Sequence, residues 1–278
     1  MKIIDAHTHI GSWSCEGSYF TKESLMGIID SNNVDFFCVS NLDCIDIDIS
    51  KQGRRPFFDE KEGNLKLIEQ FKDEPKAKLL LVCEPKYGNP QNIKEILDKY
   101  PGKISGLKFH PEWHTIPCND SAYDAYMQIA NEYDLPVLVH SGHIESSYSS
   151  PVLIYDLAKR FPSVPVILGH LSTGGLSSKK EAVKIIKKSI ENKNAILYTD
   201  ISWCDKQSII SLISKLSYGI NRIMFGTDAP LGNYINPDEY GAFVSSVKST
   251  IEENFPDRAQ SIIERVFYLN AKELFKIS

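Results

Sequence analysis

Eight short apolar runs, spaced almost evenly and separated by helix-like stretches, constrain the fold more than any other feature of the chain. They lie at Lys2–His9, Asp35–Leu42, Lys78–Glu84, Ile104–His110, Pro136–His140, Pro165–His170, Ala195–Ile201 and Arg222–Thr227. Each is rich in Val, Ile, Leu or Phe, the pattern of parallel strands buried on both faces. Helical candidates fill the gaps: Thr21–Asn32, Glu60–Lys72, Pro90–Tyr100, Ser121–Tyr133, Pro151–Arg160, Ser178–Glu191, Lys206–Leu216 and Pro237–Glu253. Pro90, Pro151 and Pro237 suit first-turn positions, where a missing N–H costs nothing. Ser177 or Ser178 followed by Glu181 resembles a capping box. Short helices at Asp257–Val266 and Asn270–Phe275 are expected to close the chain. Eight strand–helix units in 278 residues give roughly 35 residues each, the spacing of a (β/α)8 barrel. The expected fold is therefore an α/β TIM barrel, one domain over 1–278 with extra C-terminal helices. A doubly wound open sheet would bring a Gly-rich turn after the first strand, and none follows His9.

Composition narrows the function. Hydrophobic residues are 42% and charged ones 24%, ordinary globular values that exclude collagen, coiled coil and disorder. The net charge of −5, with no Lys/Arg stripe, argues against nucleic acid or an anionic membrane as main partner. No apolar run approaches the ~20 residues of a membrane span, and Asp5 interrupts any leader-like start. A cytoplasmic location is expected. Six cysteines without a Cys-x-x-Cys pair suit buried free thiols, not a disulfide framework or a cysteine zinc site.

The chemistry collects at strand ends. His7 and His9 stand on the first predicted strand, His110 ends the fourth, His140 the fifth and His170 the sixth, and Asp228 follows the eighth. In a barrel these groups meet at the C-terminal mouth, where catalytic residues sit. His7 and His9 are two apart on a strand, so both imidazoles face the same way. Such a pair grips a divalent transition ion, with nitrogen ligands at ~2.0–2.1 Å. His114 and His143 sit in the loops that follow, where a solvated histidine is the default. Trp13, Trp113 and Trp203 follow the first, fourth and seventh strands and are candidates to wall a pocket. Arg54 and Arg55 lie in the long Asp43–Asp59 loop and could clamp a carboxylate. Asp200, near the end of the seventh strand, could hold His170 or another ligand in place.

Asp5-Ala6-His7-Thr8-His9, Gly106-Leu107-Lys108-Phe109-His110-Pro111, Val139-His140, Gly169-His170 and Phe225-Gly226-Thr227-Asp228-Ala229-Pro230 occur in this order, one per strand. Together with Asn270-Ala271-Lys272-Glu273-Leu274-Phe275, they resemble the amidohydrolase superfamily, in its amidohydrolase 2 branch. The resemblance implies a mononuclear metal site with His7, His9, His140 and Asp228 as ligands and His170 beside the reacting water. Zinc is the first choice of ion, with Mn, Fe, Co or Ni as alternatives. A bound divalent ion can lower the pKa of water from 15.7 to about 7, Asp228 can take the proton, and His170 can return one. Lys108 and His110 are again two apart and face one way. Lys108 is read as an ammonium that binds a substrate carboxylate, with carbamylation as the alternative. His110 is open between substrate contact and support of a ligand. His143 and Trp13 complete the substrate-binding candidates.

The resemblance implies a metal-dependent hydrolase of a small amide, lactone or ester. The alternative is a non-oxidative decarboxylase of an aromatic or unsaturated acid, a carbon–carbon lyase of the same branch. A non-enzymatic metal scaffold leaves His170 and Lys108 unexplained. A two-metal phosphodiesterase would want a carboxylate on the fourth strand, for which Glu84 is an imperfect substitute. The expected partner is a small molecule, and a homodimer is an option since such barrels often pair.

Overall fold

All eight apolar runs become strands of one sheet in the computed structural model, which describes residues 1–278 apart from 15–16, 49, 51–55 and 233–235. The strands are β1 (Ile4–Trp13), β2 (Ser18–Phe20), β3 (Phe36–Asn41), β4 (Ala77–Val82), β5 (Ile104–Phe109), β6 (Val137–Val139), β7 (Pro165–Leu168), β8 (Ile196–Asp200) and β9 (Ile223–Met224). Their order is β2-β1-β3-β4-β5-β6-β7-β8-β9, parallel throughout except for β2. The sheet closes on itself. Ala6 N–H donates to Phe225 O (3.0 Å), Asp228 N–H to His7 O (2.7 Å) and His9 N–H to Ala229 O (2.8 Å). The expected α/β barrel is what forms.

Strand β2 has no counterpart in the apolar runs. It pairs antiparallel with the end of β1, which runs on past His9 to Trp13. Only Phe20 of its three residues is buried, so no apolar run marks it.

The helices follow the expected ranges closely. Pro90, Pro151 and Pro237 each open a helix, behind the caps Asn89, Ser150 and Asn236. The capping box at Ser177 or Ser178 is not formed. That helix spans Leu176–Asn192 behind Gly175, with no side-chain cap. Both serines are already inside its first turn, and the Ser178 hydroxyl instead accepts from Ile144 N–H (3.1 Å). The Ser121–Tyr133 segment splits into a 3-10 turn at Ser121–Tyr123 and a helix at Asp124–Glu132. The final helices, Ala259–Glu264 and Asn270–Leu274, are joined by a π-turn at Arg265–Leu269.

Two apolar layers position the mouth. One lies between sheet and helices. The other fills the N-terminal end of the barrel: Ile4, Ala6, Cys38, Leu80, Leu138, Ile167 and Met224 pack against Ala271, Leu274, Phe275 and Ile277. The last helix is therefore a plug for the barrel floor. On β6 and β8 the same parity continues upward from this layer, from Leu138 to His140 and from Tyr198 to Asp200. On β1 it does not. Ile4 and Ala6 face the floor, yet the mouth receives His7 and His9. A register shift between Asp5 and Thr8 re-aims the strand. Among the described residues, Cys38, Cys44, Cys83, Cys118 and Cys204 are free and buried, as expected. Cys15 lies outside the described residues. No described helix is long and apolar enough to cross a membrane.

Candidate metal centre

The mouth begins with β1. His7 and His9 are both buried, with ring centroids 4.9 Å apart. His7 Nδ1 stands 3.0 Å from Asp200 Oδ2, at the end of β8. An ionised carboxylate only accepts, so Asp200 holds the proton on Nδ1 and leaves the Nε2 lone pair toward the mouth. His9 Nδ1 stands 2.8 Å from Ser40 Oγ at the end of β3. Both Nε2 atoms converge on Asp228, whose Oδ1 lies 3.1 Å from that of His7 and 2.9 Å from that of His9. One donor atom from each of His7, His9 and Asp228 falls within 4.8 Å of the other two, all buried.

That set fits a divalent transition ion. It offers two imidazole nitrogens and one carboxylate oxygen, with each ring's second nitrogen already engaged, as metal-binding histidines require. Close packing demands glycine beside it. A Cβ on Gly226 would lie 2.9 Å from Asp200 Cβ and 3.2 Å from His7 Cβ. A second grouping, of His7, His170 and Asp200, reuses His7.

Lys108, at the mouth end of β5, is buried, and its Nζ donates to His7 Nε2 across 2.8 Å. Burial lowers its pKa to about 8, against the pull of Asp228 and Asp200. Burial likewise lowers His7, and drives His9, His110, His140 and His170 well below the usual histidine value, with Lys108 adding repulsion at each. Neutral imidazoles are the form that binds metal. Asp228 is raised by burial, although His7, Lys108 and the Trp203 N–H oppose the shift. Burial would raise Asp200 too, but His7, Ser202 and the His170 N–H outweigh it and lower the carboxyl.

His170 is buried on the β7 side, its ring centroid 4.8 Å from that of His7 and 5.1 Å from that of His140. Its Nδ1 is 2.8 Å from Ser202 Oγ and 3.9 Å from Asp228 Oδ2. Asp200 Oδ1 accepts from the His170 N–H (3.1 Å), the Ser202 N–H (3.0 Å) and the Ser202 hydroxyl. Asp200 thus braces His170 and His7 together. His170 (φ 63°) and Asp228 (φ 69°) both hold left-handed backbone, which costs a non-glycine residue about 1–2 kcal/mol. Such outliers cluster where side-chain direction matters.

His140 stands off the trio. It lies stacked on His110, with centroids 4.1 Å apart and planes inclined by 13°. Trp13 and Trp113 meet edge to face at 5.2 Å, and each is 6.4 Å from His110. With Phe20, Leu42, Val82 and Leu231, the two indoles make one wall of the mouth apolar.

Other candidates are placed elsewhere. His143 is exposed, and its Nδ1 accepts from Glu145 N–H (3.2 Å). His114 is not a solvated loop residue. It ends the short helix Pro111–His114, is buried, and pairs Nδ1 with Tyr123 OH (3.2 Å) of the 3-10 turn Ser121–Tyr123. Glu84 binds the backbone of Lys86 and Tyr87, away from the cluster. Arg54 and Arg55 lie outside the described residues. Ser40 and Ser202 were not anticipated, since nothing local marks a serine as a histidine's partner.

The family model described as amidohydrolase (Amidohydro_2) matches residues 87–277. The chain belongs to this amidohydrolase family. The match covers Lys108, His110, His140, His170 and Asp228, while His7 and His9 precede it. The barrel resembles an amidohydrolase, provisionally so described, from Staphylococcus aureus at TM-score 0.70 and 14% identity, over 100% of both chains. It also resembles 2,6-dihydroxybenzoate decarboxylase from Rhizobium at TM-score 0.68 and 14% identity, over 99% of this chain and 98% of the other. A third likeness is to 5-carboxyvanillate decarboxylase from Novosphingobium aromaticivorans, solved with manganese and a nitrobenzoic acid. There the TM-score is 0.68 and the identity 11%, over 99% and 96% of the two chains. A search of curated proteins finds no match. At these identities the solved structures establish the shared barrel.

Proposed function

We propose that this amidohydrolase-family member is a one-metal enzyme that removes carbon dioxide from a small planar carboxylic acid. The observation that carries the reading is the joining, in one mouth, of the His7–His9–Asp228 donor set, the Lys108 amine and the Trp13–His110–Trp113 wall. Decarboxylase activity in two of the fold neighbours, one holding manganese, favours this over the hydrolase otherwise expected. His7, His9 and Asp228 would hold the ion, with His140 as a fourth donor from the next wall. Manganese and zinc both suit such a nitrogen–oxygen set. When bound, the ion supplies positive charge that binds the acid and withdraws electron density from it.

The remaining work falls to the chain. The mutually inclined rings of Trp13, His110 and Trp113 wall the side of the mouth that receives the substrate ring and exclude water from it. Lys108, as the ammonium, attracts the substrate carboxylate to the buried end. The carbon–carbon bond then breaks, its electron pair stays on the ring carbon, and carbon dioxide leaves. A proton must reach that carbon. His170 can relay it from solvent through Nε2, because Ser202 and Asp200 hold the Nδ1 side of the ring from behind. Asp228 is the second candidate donor.

Turnover of hydroxybenzoate-type acids in D2O should release carbon dioxide and place one deuterium on the ring. A parallel screen of lactones, amides and esters in oxygen-18 water tests the alternative. Label in a new carboxylate, without carbon dioxide release, would replace decarboxylation by hydrolysis at the same residues.

A further inference from the structure

Trp203 is the unexplained neighbour of the centre. It follows β8, is 41% exposed, and was expected only to line a wall. Its indole Nε1–H donates to Asp228 Oδ2 across 2.9 Å. Asp228 is thereby held at both ends: Oδ1 faces His7 and His9, and Oδ2 is turned away from them toward the indole.

The ring is itself fixed. Trp203 has left-handed backbone (φ 58°), and its carbonyl accepts from Lys179 Nζ (3.1 Å). The same ammonium donates to His170 O (3.2 Å), so one buried lysine ties the segments after β7 and β8 together. On the other side, Gly232 leaves the indole its place. A Cβ there would overlap the six-membered ring, and φ is 60° at that glycine. A flexible rim residue would need none of these constraints.

We propose that Trp203 is a positioning residue for the metal centre. Its N–H aims the Asp228 carboxylate so that Oδ1 alone is presented beside His7 and His9. The inference rests on the reading of those three residues as metal ligands. A ligating carboxylate gains both orientation and affinity from an outer hydrogen bond, and loss of such a partner costs roughly 10- to 100-fold in metal affinity. Trp203→Phe keeps a ring against Gly232 and removes only the donor.

The test is a manganese titration of chelator-stripped protein, read by calorimetry. Wild type should bind one ion, and Trp203→Phe should bind it roughly 10- to 100-fold more weakly. Tyr218→Phe, which alters a fully exposed ring outside the mouth, should bind as wild type does. Melting temperatures of the stripped forms should agree between Trp203→Phe and wild type. In an Asp228→Ala background, Trp203→Phe should cost less than about twofold, because its effect runs through the missing carboxylate. Wild-type affinity in Trp203→Phe would overturn the inference and leave the metal reading standing. An equal loss in both backgrounds would overturn it too, by making the indole a general packing element. A wild-type protein that binds no divalent ion, or binds it equally well as His9→Ala, would overturn the metal reading and this inference with it.

Discussion

The strand-end residues His7, His9, His140, His170 and Asp228 were legible because a parallel barrel gathers the C-terminal ends of its strands, whatever the intervening loops do. Of their partners, only Asp200 was legible. Nothing in the sequence says that Asp200 reaches His7 as well as His170, or that Ser40 and Ser202 engage ring nitrogens. Those pairings depend on neighbouring strands and on left-handed backbone at His170 and Asp228. The pairings divide the histidines into two kinds, and mutation should separate them. His9→Ala removes a proposed ligand, so elemental analysis after gel filtration should find the metal largely lost. His170→Asn should retain about one equivalent and lower turnover by about 10²–10⁴-fold, as for a lost acid–base group. If His170→Asn empties the site as fully as His9→Ala, then His170 belongs among the ligands.

Strands and helices were read almost to their ends, because buried runs and first-turn prolines are local signals. The β1 register shift and strand β2 were missed, since both are set by pairing and not by composition. One buried carboxylate also joins elements that the sequence leaves unrelated. Glu60, at the start of the helix Glu60–Phe71, accepts from Glu84 N–H (2.8 Å), Asn89 N–H (3.1 Å) and Tyr126 OH (2.7 Å). It thereby clamps the loop after β4 to the helix Asp124–Glu132. Burial, with repulsion from Glu84 as a smaller cause, raises its pKa from 4.5 to about 7, against the hydrogen bonds that favour ionisation. A folded-state value above the unfolded one means that the folded protein binds the proton more tightly. The resulting stabilisation is complete below pH 4.5 and lost as pH rises through about 7. Urea unfolding at pH 5 and pH 8 should therefore show wild type losing about 2 kcal/mol more than Glu60→Gln over that interval. Parallel pH profiles for the two proteins would show that Glu60 is ionised at both values.

For the molecule as a whole, the proposed ligands His7 and Asp228 lie on opposite sides of the seam that closes the sheet, where Asp228 N–H also donates to His7 O. An ion held there adds a bond across the closure. At 100 times its dissociation constant it should stabilise the fold by about 2.7 kcal/mol. For a chain of this size that corresponds to a rise of roughly 5 °C in melting temperature. Calorimetry with manganese, and then with excess chelator, should show the rise and its reversal. An unchanged melting temperature at saturating metal would mean that the ion binds folded and unfolded chains alike.

The seam also sets a timetable. His7 and His9 leave the ribosome long before their counterpart Asp228, which is not made until most of the barrel exists. During synthesis the two imidazoles therefore wait without a carboxylate. On the proposed ligand set, a half-made chain would offer a passing ion only a loose two-nitrogen grip, easily surrendered to competing chelators. On that ligand set, selection of the metal would be a late act, coupled to the moment at which β9 docks against β1.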